Sequence, residues 1–314
     1  MQVAVTGGTG FIGRRLVSHL LARGDRIKLL TRRSRATLGL PDSVMLFEGD
    51  LTSRDVDLLP FVADVDVLFH CAGEIRDPTR MHALHVEGTQ RLIKAASGTV
   101  GHWVQLSSTG AYGKVRAGIV SEETAVAPDN EYERTKTNSD QLVSVASGPE
   151  TFSASVLRPS NVFGPTMTNR SLFQMITMIS KGIYFFIGPP CASANYIYVD
   201  NVVDGMLCCA TLPEARGQTF ILSDHRPLEE FVAAIADALG RPAPRLRVPE
   251  QLVRVAATVF RVMPGFPLTN SRIDALTDRV VYSTQHISRG LNYVHNVSME
   301  DGVHRVVQSW RQKQ

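Results

Sequence analysis

The first half of the chain alternates short apolar runs with amphipathic stretches. Val3–Val5, Ile27–Leu30, Val44–Phe47, Val65–His70, Trp103–Leu106 and Ser155–Leu157 read as buried strands. Helical spacing of apolar positions follows at Phe11–Arg23, Met81–Ala96 and Glu131–Ala146. Strands alternating with helices predict parallel βαβ units, hence an α/β fold with a doubly wound, Rossmann-like parallel sheet. After Pro159 the pattern changes and helices dominate: Leu172–Ile179, Val199–Leu212, Leu228–Leu239, Glu250–Val262, Ser271–Thr277 and Met299–Arg311. Phe220–Leu222 and Leu246–Val248 are the short strands expected there. Residues 1–165 are therefore expected to bind a dinucleotide, with 196–225 returning to that domain. Residues 166–314 are expected to form mainly a smaller, mostly helical substrate lobe.

Composition excludes several classes. The 314 residues are enough for a sizeable core. The net charge of +3 is too small to argue for nucleic acid or a membrane surface, and Arg32, Arg33 and Arg35 form the one local basic cluster. No uninterrupted apolar stretch is long enough to span a bilayer. Leu252–Met263 is apolar but carries Arg254 and Arg261, as an amphipathic helix would. The four cysteines, Cys71, Cys191, Cys208 and Cys209, lack zinc-site spacing, and adjacent Cys208 and Cys209 do not suit a mutual bridge. A reduced, cytoplasmic protein is expected, with no metal.

Chemistry enters at the first strand–helix junction. Gly7-Gly8-Thr9-Gly10-Phe11-Ile12-Gly13 follows a strand and opens a helix. Glycines there permit a tight turn and close approach of backbone to a pyrophosphate. The helix start offers N–H groups and the positive end of its dipole. An acidic residue at the end of the second strand would bind the ribose 2′-hydroxyl of NAD. This chain has Thr31-Arg32-Arg33 instead, and arginine pairs bidentately with phosphate, so NADP(H) is favoured over NAD(H). Asp50, in Gly49-Asp50-Leu51 after the third strand, could accept from an adenine amine or simply form a turn.

The reacting centre is read from Tyr132 and Lys136. Residues four apart on a helix share a face. A phenol titrates near ~10, and an adjacent ammonium is expected to lower that value. Ser108 could hold the carbonyl oxygen being reduced or formed. Together the three predict a hydride-transfer centre.

At this point the chain resembles the extended short-chain dehydrogenases/reductases, in the branch containing nucleotide-sugar epimerases, dehydratases and reductases. The glycine motif, Gly49-Asp50-Leu51, Cys71-Ala72-Gly73, Ser107-Ser108 before Tyr112-Gly113, and Tyr132/Lys136 match in order. Leu157-Arg158-Pro159-Ser160-Asn161-Val162-Phe163-Gly164-Pro165, Tyr196–Asp200 and Gly290–Tyr293 match as well. The resemblance implies that Ser108 is the catalytic hydroxyl, Tyr132 the acid/base, and Lys136 the group that binds the nicotinamide ribose. It implies that Ala72 and Gly73 line the cofactor cleft and that Pro159 and Val162 lie at its nicotinamide end. Ser108, Thr109, Tyr132 and Asn161 would face the substrate, with Asn161 matching an asparagine that contacts a substrate diphosphate. It also implies a homodimer through the helices around Met81–Ala96 and Tyr132–Ala146.

Departures narrow the function. Thr109 and Gly110 stand where dehydratases carry Asp-Glu, which argues against dehydration. His85 stands where the family usually has asparagine. Ser193-Ala194-Asn195 offers no arginine for a diphosphate, a contact that would have to move elsewhere, for instance to Arg279. The first expectation is hydride transfer at C4 of a nucleotide-activated sugar, by a 4-ketoreductase or 4-epimerase. The alternative is an NADP-dependent dehydrogenase/reductase of an apolar alcohol or ketone, with Phe185-Phe186-Ile187 and Leu252–Met263 near its pocket.

Overall fold

The six apolar runs of the first half all become strands of one sheet. In a computed structural model, which describes residues 1–167, 170–259 and 269–313, they are β1 (Gln2–Thr6), β2 (Arg26–Thr31), β3 (Val44–Glu48), β4 (Val65–His70), β5 (Val100–Leu106) and β6 (Ser153–Pro159). A seventh, β7 (Thr219–Leu222), joins at one edge, and the order is β7-β6-β5-β4-β1-β2-β3. Every pairing is parallel. Apart from the edge strand β3, the strands of the first half are largely buried on both faces, which is why they read as continuous apolar runs rather than as alternating ones.

Helices cover both faces. On one, Leu16 and Leu20 of the Phe11–Ala22 helix and Val202 and Met206 of the Val199–Thr211 helix pack on Val3, Val5, Leu29 and Val104. On the other, Leu92, Ala96 and Val143 pack with Ala4, Leu68, Phe61 and Trp103. The chain reverses strand order between β1 and β4, and an α/β sheet opens a ligand crevice outside the carboxyl ends of its strands at such a point.

A second core lies beside the sheet. Phe163, Met175, Ile176, Phe231, Val303 and Val306 bring together the Arg170–Ser180, Leu228–Leu239 and Met299–Arg311 helices. Ser193–Tyr198 forms the centre of a three-stranded sheet, parallel to Asn161–Phe163 and antiparallel to Asp224–Pro227. Short parallel pairs join Ala117–Val120 to Arg279–Tyr282 and Phe186–Ile187 to Arg247–Val248.

Two expected helices differ. Met81–Ala96 is not one α-helix: Pro78–His82 leads into a π-helical turn at Ala83–Gly88, and the α-helix resumes over Thr89–Ala96. The wide turn carries the buried His85, and such turns gather at functional sites. The helix expected over Glu250–Val262 spans Glu250–Val259, and its remaining residues, with the end of the Leu252–Met263 stretch, lie outside the described residues. Among the described residues no helix is long and apolar enough to cross a membrane.

Candidate active site

The glycine turn closes by contact, not by side chains. Gly7 has φ +68, in the left-handed region that favours glycine, and its carbonyl accepts the Gly10 N–H at 2.9 Å. A Cβ on Gly13 would sit 2.3 Å from the Gly7 carbonyl oxygen. The helix starts at Phe11 with Gly10 as its N-cap and no side chain capping it. Its first-turn N–H groups, those of Phe11, Ile12 and Gly13, thus have no intrahelical partner to meet.

Above this turn lies a cleft of about 270 Å³. Gly7, Gly10, Ala72 and Gly73 form its floor, and Arg32, Arg33, Asp50 and Leu51 its far end. The Phe11 and Ile12 side chains point elsewhere, into the packing between sheet and second core. Pro159 and Val162 are not part of this cleft: Pro159 pairs with Leu222 at the end of β6, and Val162 packs against both cores. Asp50 is first a turn residue, because its Oδ1 accepts both the N–H and the hydroxyl of Thr52 at 2.9 Å. Among the cleft residues that sequence reasoning missed are Glu74 and Arg80. Arg80 sits on a short helix with no motif of its own, so nothing in its neighbours marked it.

The Tyr132 helix is fixed at its start by a capping box. Asn130 accepts the Glu133 N–H at 3.0 Å and the Glu133 carboxylate reaches back to the Asn130 N–H. Tyr132, Lys136 and Asp140 then share one face, at four-residue steps. Ser108 opens a 3₁₀ turn, its Oγ accepting the Gly110 N–H at 3.1 Å. The same hydroxyl lies close enough to act on the Tyr132 phenol. Thr109 is buried and acts on the Tyr282 phenol of the Arg279–Tyr282 strand. Asn161 is exposed at the start of its strand.

The electrostatics correct one expectation. Burial pushes the Tyr132 phenol up to about 12, and the Ser108 hydroxyl draws it back only in part. Lys136 does not lower it: the amine is buried and donates to the Leu106 carbonyl at 2.7 Å. Burial lowers the Lys136 amine, and the carboxylate of Asp140 pulls it back up. Desolvation therefore sets the direction of the phenol's shift.

Asp140 is held by its own partners. Ser107 Oγ donates to its Oδ2 at 2.6 Å, and Arg158 donates to the same oxygen through Nε (3.3 Å) and Nη2 (3.2 Å). Arg158 also donates to the Tyr112 hydroxyl at 3.1 Å and lies over that ring. The motif residues Ser107, Tyr112 and Arg158 thus form the support beneath Lys136.

His85 links the helix to the cleft. Its Nε2 accepts the Glu74 N–H at 2.8 Å and its Nδ1 pairs with the Thr135 hydroxyl at 2.8 Å. Its ring meets Tyr132 edge to face, centroids 5.8 Å apart. Burial, then the Lys136 charge, lowers its pKa to about 3, so the ring is neutral. Burial also raises the Cys71 thiol to about 12, so it packs beside the cleft as a neutral group. Arg279, considered for a diphosphate, donates instead to the Pro190 carbonyl at 3.0 Å.

Known proteins resemble this chain in sequence and in fold. The chain is 26% identical to the sterol-4-alpha-carboxylate 3-dehydrogenase, decarboxylating, of Homo sapiens, over 99% of this chain and 88% of that one. It is 29% identical to a 3 beta-hydroxysteroid dehydrogenase/Delta 5-->4-isomerase of Mycobacterium tuberculosis, over 85% of this chain and 78% of that one. Its fold matches the crystal structure of UDP-glucuronic acid 4-epimerase from Bacillus cereus in complex with NAD, with a TM-score of 0.77 at 18% identity over 100% of this chain and 99% of that one. The model of the NAD dependent epimerase/dehydratase family matches residues 3–222. The chain belongs to that family and is an enzyme of the extended short-chain dehydrogenase/reductase type.

Proposed function

We propose that this enzyme moves hydride between NADP(H) and a secondary alcohol or ketone on a ring substrate, and that it works chiefly as a reductase. The observation that carries the reading is the placement of Tyr132 and Lys136 one turn apart on one helix, with the Ser108 hydroxyl acting on the Tyr132 phenol beside the dinucleotide cleft.

The residues present fit a dinucleotide. The uncapped helix start above Gly7 and Gly10 can meet a pyrophosphate through the Phe11 and Ile12 N–H groups. Arg32 and Arg33 can meet a 2′-phosphate, and Ala72 and Gly73 leave the floor open. Lys136 would hold the nicotinamide ribose. When bound, the nicotinamide gives or takes the hydride.

The protein's own groups handle the proton. Ser108 would hold the substrate oxygen by hydrogen bonding. Tyr132 would donate its proton to that oxygen as the carbonyl is reduced. The phenol, raised by burial, carries its proton at neutral pH and is available as the acid in reduction. Asp140 works against the loss of the Lys136 charge that burial favours.

For the substrate we favour an uncharged, largely apolar ring ketone or alcohol. Ser193, Ala194 and Asn195, which precede Tyr196, supply no cation. The nearby cations are engaged: Lys114 with Asp129 at 2.7 Å, Arg116 with Asp274 at 3.2 Å, and Arg279 with Pro190. The sterol and steroid dehydrogenases among the relatives support the same choice. The exposed Asn161 favours the second reading, hydride transfer at C4 of a nucleotide sugar.

The test is consumption of NADPH by the purified enzyme with a panel of 3-ketosteroids and other lipophilic ring ketones, set against UDP- and dTDP-4-keto sugars. Turnover of the lipophilic ketones is expected. Turnover confined to the nucleotide sugars would overturn the substrate class. Sugar epimerisation with no net change in the nicotinamide would overturn the reductase as well.

A further inference from the structure

We propose that Arg80 is a specificity-determining residue: with Arg32 it forms a two-sided clamp for the 2′-phosphate of an adenosine ribose, and Asp50 is the anion that this phosphate displaces. The inference rests on the NADP(H) reading and adds a second wall to it.

The two arginines come from different parts of the chain. Arg32 follows β2, and Arg80 lies on the Pro78–His82 helix after β4, yet both line the far end of the same cleft. Both point at one atom. Arg32 Nη1 is 3.6 Å and Arg80 Nη2 3.8 Å from Asp50 Oδ2. These separations exceed a hydrogen bond, so the carboxylate attracts both guanidinium groups without satisfying either. The side chains keep 59% and 47% of their exposure, which leaves N–H donors open to a ligand.

Asp50 itself is firmly placed, because Thr52 occupies its other oxygen twice. It therefore gathers the two cations at a fixed point. Glu74, the other carboxylate of the cleft, is occupied by its own turn, its Oε1 accepting the N–H groups of Ile75, Arg76 and Asp77. Arg33 lines the cleft as well, so three guanidinium groups face two carboxylates there.

A phosphate monoester brings about two negative charges and three acceptor oxygens. It can take both guanidinium groups bidentately where one carboxylate oxygen takes neither. A ribose with a free 2′-hydroxyl brings no charge, and the clamp would then stay on Asp50. Arg80 should accordingly bind through the phosphate and barely through the rest of the cofactor.

The experiment measures dissociation constants of NADPH and NADH by titration calorimetry on the full-length wild-type enzyme and on Arg80→Gln, Arg32→Gln and Asp50→Asn, with thermal midpoints checking that each variant folds. The wild type is expected to prefer NADPH. Arg80→Gln should cut the NADPH-over-NADH preference about tenfold, as loss of a charge-assisted hydrogen bond would. Asp50→Asn should raise that preference, because the phosphate no longer competes with a carboxylate. If Arg32→Gln abolishes the preference while Arg80→Gln leaves it unchanged, the clamp is refuted and the NADP(H) reading stands. If the wild type binds both cofactors equally, the NADP(H) reading fails and the clamp fails with it.

Discussion

His85 ties acid stability to the active site, and the size of the effect can be worked out. The ring titrates near ~6.5 in an unfolded chain and at about 3 when folded. Its folded-state pKa is depressed, so the unfolded chain takes up the proton first as pH falls. The stability is intact above about 6.5 and is lost progressively on the way down to about 3. At pH ~4.5 the linkage amounts to about 3 kcal/mol, a large share of the ~5–15 kcal/mol that holds a typical fold together. His85→Asn removes the titration yet keeps a carbonyl for the Glu74 N–H and an amide for Thr135. Urea denaturation of both proteins at pH ~7.5 and ~4.5 gives four unfolding free energies. The acid-induced loss should be smaller in His85→Asn by about 3 kcal/mol. His102, lowered by burial to about 4, titrates in both proteins and cancels in the difference. Equal acid-induced losses would refute the claim that a buried neutral imidazole joins Glu74 to the Tyr132 helix.

Two other variants test the scaffold. Arg158→Met strands the buried Asp140 carboxylate and should cost about 3–5 kcal/mol in urea unfolding, with the further change Asp140→Leu recovering part of the loss; a cost below about 1 kcal/mol would mean that the ion pair carries little. Gly13→Ala forces a Cβ against the Gly7 carbonyl and should cost about 1–3 kcal/mol while weakening cofactor binding in calorimetry; wild-type affinity would show that the turn has room to adjust.

Much of this was legible in the sequence because single local causes dictated it. Strands buried on both faces leave apolar runs, and all six runs of the first half lie in one sheet. The helix starting at Glu131 was legible because Asn130 and Glu133 cap it. The Ser193–Tyr198 strand was hidden: its Ser-Ala-Asn start has no β-branched residue, and its pairing depends on segments distant in sequence. The π-helical turn at Ala83–Gly88 was hidden because its apolar spacing reads as an ordinary helix. In the site, the placing of Tyr132 and Lys136 one turn apart on one helix was legible from their spacing. The phenol's titration was not, since it depends on burial, and burial belongs to the fold. Asp140 could have been found, because it stands one turn beyond Lys136 on the same face. Arg80 could not, because only the folded chain brings it opposite Arg32.

The central claim is that the Tyr132 hydroxyl carries the proton while the dinucleotide carries the hydride. Its most direct test compares Tyr132→Phe with wild type for turnover of the substrate found in the ketone and sugar panel and for NADPH affinity. Turnover should fall roughly a hundredfold or more, with the dissociation constant for NADPH within about twofold of wild type. Undiminished turnover in Tyr132→Phe would contradict the account.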